Sequence, residues 1–236
     1  MLRVSRQPTG EPEIFYSLQG EGASIGTPSV FLRLALCNLA CNWCDTKYTW
    51  DWKHYDYSRE VISLDTEVVK DRILGFGCRR LVITGGEPLL QQTELAPLVA
   101  SLKRDQGFVC EVETNGTVVP LPELARDIDQ WNVSPKLASS GNALERRELP
   151  EVLEFFRQLP NAYFKFVVVQ SSDIDEVCGL RDKYGLPGER IILMPEGQRA
   201  EVIQSRSLWI SEVCIKEGFR FSTRLHILLW GDQRGR

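Results

Sequence analysis

From Ser29 to Leu36 the chain reads SVFLRLAL, with Val30, Leu32, Leu34 and Leu36 on one face and Phe31, Arg33 and Ala35 on the other. That period of two predicts a strand. Further short apolar runs bounded by turn residues predict strands at Arg80–Thr84, Val109–Glu113, Trp131–Ser134, Tyr163–Val169, Arg190–Met194 and Phe219–Thr223. Longer stretches between them predict helices at Asp65–Gly75, Glu94–Gln106, Pro150–Leu159, Asp173–Tyr184 and Ala200–Glu217, with Asp65 or Thr66 suited to an N-cap. Strands alternating with helices imply right-handed crossovers and a mostly parallel sheet. About six such strands are too few to close an eight-stranded barrel. The expected fold is therefore α/β, a partial open (β/α) barrel, with residues 1–236 as one domain.

Two stretches show no clean period. Glu13 to Gly22 runs from a short apolar segment into a Gly-rich turn, and Asp45 to Tyr57 (DTKYTWDWKHYDY) reads as an exposed loop or short insertion, or as a lid. No repeat, low-complexity tract or linker divides the chain. Hydrophobic content of 43% and charged content of 25% are ordinary for a globular protein. A net charge of −4 argues against a nucleic-acid-binding surface. No stretch approaches the roughly 20 apolar residues of a membrane span, and the opening MLRVS lacks the apolar run of a secretion signal. A cytoplasmic location, with neither membrane nor nucleic-acid partners, is expected.

The densest chemistry follows the first predicted strand. Cys37, Cys41 and Cys44 form C-x3-C-x2-C, and three thiolates within eight residues converge only around a metal or a metal cluster. Closed structural sites take four protein ligands, so three leave a position open for chemistry. A zinc knuckle with its fourth ligand elsewhere, or simply buried thiols, are the other readings, although His54 and His226 both lack ligand spacing to the trio. Cys78, Cys110, Cys178 and Cys214 are scattered and read as small buried hydrophobes. Polar groups close three further strands: Thr84-Gly85-Gly86-Glu87-Pro88, Glu113-Thr114-Asn115-Gly116 and Ser134-Pro135-Lys136. Each alone is a turn signal. Together they stand at the strand ends where α/β folds place their sites.

The cysteine spacing, with an aromatic before the last cysteine, resembles the radical S-adenosylmethionine (SAM) enzymes. The likeness extends over nearly the whole chain, through Leu18 to Gly22, Cys37 to Thr46, Thr84 to Pro88, Glu113 to Gly116, Ser134 to Lys136, Met194 to Gly197 and the tail beyond Leu225. The resemblance implies a 4Fe–4S cluster on Cys37, Cys41 and Cys44, whose fourth iron takes SAM. It implies SAM contacts from Trp43, Cys44, Asp45, Gly86, Glu87, Glu113, Asn115, Ser134, Pro135 and Lys136. The closest branch acts on a carboxylated tetrahydropterin and yields a 7-deazapurine, which implies substrate contacts at Leu18, Gln19, Gly20, Glu21, Arg33, Thr84 and His226. Mg2+ at Thr46, a flavodoxin-type electron donor and a homodimer are implied in the same way. Arg33 lies on the strand face opposite the branched apolar residues, and its planar fork suits a carboxylate. Some family members end in a proline that approaches the substrate; this chain reads GDQRGR there, so that contact is not carried over. A glycyl-radical activase, which shares the spacing but typically continues Asn-Pro where this chain has Asp45-Thr46, and an iron–sulfur electron carrier are the rival functions.

Overall fold

The computed structural model describes residues 1–236. Its strands are β1 (Leu2–Ser5), β2 (Ile14–Leu18), β3 (Pro28–Leu34), β4 (Val61–Leu64), β5 (Arg80–Gly85), β6 (Val109–Thr114), β7 (Gln130–Val133), β8 (Ala162–Val168), β9 (Ile191–Pro195) and β10 (Arg220–Phe221). They form one sheet in the order β10-β9-β8-β7-β6-β5-β3-β1-β4, with β2 also on β3. The strands from β3 and β5 through β10 pair in parallel. Three short strands absent from the sequence reading, β1, β2 and β4, add to one edge antiparallel. The sheet ends at β10 and β4 without closing, so the barrel is open.

The helices are α1 (Tyr57–Glu60), α2 (Thr66–Leu74), α3 (Gln92–Gln106), α4 (Pro122–Asp127), α5 (Leu144–Arg147), α6 (Pro150–Gln158), α7 (Ser172–Tyr184), α8 (Ala200–Glu217) and α9 (Leu225–Trp230). Proline opens α4 and α6 at a position whose N–H has no helical partner in any case. The last predicted strand is shorter than expected, because β10 pairs with β9 only at Arg220 and Phe221.

Alternation along the parallel strands gives the sheet two unlike faces. One carries Leu32, Leu34, Leu81, Ile83, Val112, Trp131, Phe164, Phe166 and Leu193, all buried in a single core with Ile73, Leu95, Leu102, Phe156 and Ile210 from the helices. A fully buried side chain of this size contributes about 1.5–3 kcal/mol. The opposite, concave face carries Arg33, Thr84, Glu111, Glu113, Asn132 and Lys165, a costly set to bury. The helix-covered face supplies the apolar burial that offsets the cost.

At the carboxyl end of β3 the backbone departs from the expected strand. Leu36 adopts a φ of 76°, the one left-handed residue that is not glycine. Such a conformation costs on the order of 1–3 kcal/mol and persists only where its surroundings impose it. Here Leu36 donates its N–H to Thr49 O at 2.7 Å and accepts from Glu87 N–H at 2.7 Å. The turn takes the chain off the sheet and straight into the cysteine loop. Gly85 and Gly86 lie so close alongside that a Cβ on either would stand 2.0 Å from the carbonyl oxygen of Leu34 or Leu36. These glycines are required by the approach of two strands, whatever ligand they also meet.

Candidate active site

The carboxyl ends of the parallel strands surround a cavity of about 230 Å³. Cys37, Cys41 and Cys44 all open on it, and none is in a disulfide. None of the other four cysteines reaches it. Cys110 and Cys214 are buried as expected, whereas Cys78 and Cys178 are half-buried. Burial pushes the Cys37 thiol up to about 12 against the pull of the Leu39 N–H, with Glu87, Cys41 and Cys44 adding to it. A metal would offset that cost, since it binds the thiolate and displaces its proton. No three His, Cys, Asp or Glu side chains gather tightly enough to hold one metal ion. The sulfurs share one cavity instead, as separate irons of one cluster require, so the donor set fits a 4Fe–4S cluster better than a single zinc.

A polar wall beside the trio suits SAM. Gly86, Glu113, Asn115, Ser134 and Lys136 line the cavity with Trp43 and Asp45. The Lys136 ammonium stands 5.7 Å from the centroid of the Trp43 ring and donates to Ser134 O and Oγ at 2.9 and 2.7 Å. Trp43 Nε1 is buried without a partner, a donor left unsatisfied by the polypeptide. Two expected residues stay outside the cavity lining, Pro135 and Glu87. Glu87 is fully buried, accepting from Leu89 N–H at 3.0 Å, Thr114 Oγ1–H at 2.9 Å and Asn115 N–H at 2.7 Å. Burial raises its pKa although those three donors favour the carboxylate. Its carboxyl ties the end of β5 to the end of β6.

Leu18, Gln19, Gly20, Glu21, Arg33, Thr84 and His226 line the part of the cavity farther along the concave face, and Thr46 stands at the cysteine loop with its Oγ1 3.6 Å from Cys44 Sγ. Arg33 donates through Nε to Glu13 at 3.0 Å, while Tyr48 OH donates to the same carboxylate. Its two terminal nitrogens have no protein acceptor, so the outer edge of the fork faces the cavity. Glu13 and Asp45 hold the guanidinium charged despite its burial. Gly20 fits because its missing Cβ would fall 2.1 Å from His226 Nδ1.

The concave face also holds charges that were not expected. Lys165 donates to Glu21 and Glu113, both at 2.7 Å, and its side chain is 5% exposed. Arg224 bridges Glu21 (3.0 Å), Asp45 and the Gly197 carbonyl (2.6 Å). Burial alone would raise the Glu21 carboxyl, yet Lys165, Arg224 and His226 hold it well below its usual range. Glu113 goes the other way: burial raises it, and Glu111 and Glu21 outweigh part of the pull of Lys165. Burial lowers the pKa of His226 against the pull of Glu21. Lys165 was legible by the alternation that found Arg33, since it faces away from Phe164 and Phe166. Arg224 carried no such signal.

The stretch from Asp45 to Tyr57 is exposed from Trp52 onward, as expected of a loop, but its first half is not. A 3₁₀ turn at Lys47–Thr49 buries Tyr48 and Thr49, and Trp50 enters the cavity wall. Aromatic residues spread without a period were packing in several directions at once.

Known proteins resemble the chain along most of its length. The family model for the radical SAM superfamily matches residues 34–168. A 7-carboxy-7-deazaguanine synthase of Pyrobaculum aerophilum is 39% identical over 225 residues, covering 95% of this chain and 96% of that one. The same-named protein of Hyperthermus butylicus is 36% identical, covering 92% and 91%. Among solved structures, QueE from Escherichia coli superposes with a TM-score of 0.69 at 28% identity, covering 95% and 94%.

Proposed function

The chain belongs to the radical SAM superfamily and, within it, to the 7-carboxy-7-deazaguanine synthases, and from that premise we propose how its residues carry the reaction. The enzyme converts 6-carboxy-5,6,7,8-tetrahydropterin to 7-carboxy-7-deazaguanine and ammonia in 7-deazapurine biosynthesis. The observation that carries this reading is one cavity shared by three free cysteines, a polar strand-end wall and an Arg33 fork with its outer nitrogens unpaired.

When bound and reduced, the cluster and SAM would supply the radical chemistry that activates the substrate carbon bearing the carboxylate. Cys37, Cys41 and Cys44 hold the cluster. Trp43, Lys136, Ser134, Asn115 and Gly86 orient SAM against it. Arg33 holds the substrate carboxylate in a charge-assisted, planar contact. Gln19, Gly20, Glu21, Thr84 and His226 surround the pterin rings, and the Lys165–Glu21–Arg224 pairing keeps Glu21 ionised as an acceptor. Thr46 would offer one hard oxygen to Mg2+ at the cavity.

Residues 1–236 act as one catalytic domain in this reading. No helix is long and apolar enough to cross a membrane, and a cytoplasmic enzyme follows from the reducing surroundings its cluster needs. A homodimer and a flavodoxin-type donor rest on the family likeness. A depression lined by Asn42, Lys47, Glu196 and Arg199 leads to Cys44 from outside and gives the donor a route. The carrier alternative lacks a fourth cysteine at the cavity, and the activase alternative is not favoured by the relatives.

The test is anaerobic reconstitution with iron, sulfide, SAM, reductant and Mg2+, followed by mass spectrometry of products from 6-carboxytetrahydropterin. Product together with 5′-deoxyadenosine is expected, more slowly once Mg2+ is removed. Deoxyadenosine without the deazaguanine would keep the radical chemistry and discard the substrate. Arg33→Lys is expected to weaken substrate binding about tenfold or more while leaving SAM affinity unchanged, because a charge-assisted bond is worth roughly 1.5–3 kcal/mol. Calorimetry with each ligand in turn reads this, and an unaltered substrate affinity would remove Arg33 from the site.

A further inference from the structure

Each cysteine of the trio receives a side-chain N–H from a different part of the chain. Asn115 Nδ2 stands 3.8 Å from Cys37 Sγ, Asn142 Nδ2 3.3 Å from Cys41 Sγ, and Trp50 Nε1 3.3 Å from Cys44 Sγ. Asn115 belongs to the wall described for SAM; Trp50 and Asn142 have no task there. Both are held firmly. Trp50 follows the 3₁₀ turn and donates its backbone N–H to Lys47 O at 3.0 Å; that turn is fixed by buried Tyr48 on Glu13 and by the Leu36 N–H on Thr49 O. Asn142 Oδ1 accepts from Ala40 N–H at 2.9 Å, which settles the amide's orientation and leaves Nδ2 to face Cys41 and Ser140 Oγ.

A hydrogen bond to a cluster sulfur acts on the redox equilibrium. When a low-potential one-electron donor reduces the cluster, one electron is added and one unit of negative charge spreads over the irons, sulfides and cysteine sulfurs. An N–H dipole aimed at sulfur stabilises that added charge and raises the reduction potential. We propose that Trp50 and Asn142 are positioning residues that set the potential of the cluster through N–H···S bonds to Cys44 and Cys41, making it easier to reduce. Neither touches SAM or substrate in this role, and each acts through the cysteine it faces. The inference rests on the trio being the cluster ligands.

The test is an EPR-monitored redox titration of the reconstituted protein, without substrate. Trp50→Phe keeps an aromatic side chain and removes the Nε1–H donor; Asn142→Ala removes the second. Each is expected to lower the equilibrium constant for reduction about three- to tenfold, the upper figure being about 59 mV downward for a one-electron couple. Trp52→Phe is the control, because Trp52 packs edge-on against Tyr57 and faces no sulfur. Wild-type iron content with an unshifted potential in both variants overturns the inference. So does loss of the cluster in both, which would assign the residues to cluster retention. A wild-type protein with no 4Fe–4S signal would instead fail the assignment of the trio itself.

Discussion

Alanine in place of Cys37, Cys41 or Cys44 is expected to abolish turnover and to lower bound iron. The reason is that the chain holds no substitute. Cys78, Cys110, Cys178 and Cys214 lie away from the cavity, and no histidine shares it except His226 on the substrate side. Removing one thiolate leaves two ligands on a cluster already completed by an exchangeable one, and an iron without its thiolate is lost. Iron and sulfide analysis alongside 5′-deoxyadenosine release reads both consequences. Cys178→Ala, half-buried on α7, is the matching control and should leave both unchanged. Full iron and full turnover in Cys41→Ala would displace the whole assignment.

Lys165→Met is expected to destabilise the protein by about 3–5 kcal/mol at pH 7, since deleting one member of a buried ion pair strands its partner. Two carboxylates lose their ammonium at once, but unequally. Glu21 retains Arg224 at 3.0 Å. Glu113 retains only neutral donors, Gln19 at 3.2 Å and Asn132 at 2.8 Å. Its pKa, raised by burial even beside Lys165, should rise further above its unfolded value. A carboxyl raised in this way adds its stability below the unfolded pKa and loses it as pH climbs through the folded one. The deficit of the variant relative to wild type should therefore be largest near neutrality and shrink on acidification. Urea unfolding at pH 5 and pH 7 measures it; a difference that does not change with pH would mean that Glu113 stays ionised.

The parallel strands were legible because each presents a continuous apolar face to the helices, and a face of that kind leaves a period in the sequence. Ser29–Leu36 showed even the inward turn of Arg33, although its last two residues belong to the turn and not to β3. The edge strands were not legible. β1 and β4 are four residues each and find one another across more than fifty positions, as in Leu2 opposite Leu64. Nothing local marks such a pairing. The cysteine trio was plain because its ligands are neighbours in sequence. Its hydrogen-bond donors were hidden, since Asn142 lies 101 residues from Cys41. For Glu87 the expected ligand contact rests on the family resemblance of Thr84 to Pro88, since the two glycines alone signal only a turn. In the fold its carboxyl is taken up by the β6 end and by the short 3₁₀ helix that begins at Pro88.

That buried carboxyl also ties the cysteine loop to its surroundings. The cysteine loop is fastened by contacts that contain no iron: Leu36 to Thr49 and Glu87, Asn42 N–H to Ser140 O at 2.9 Å, and Glu87 to the β6 end. Loosening Glu87 would therefore be felt by the loop that carries the thiols, through the backbone, with no change in any side chain that lines the cavity.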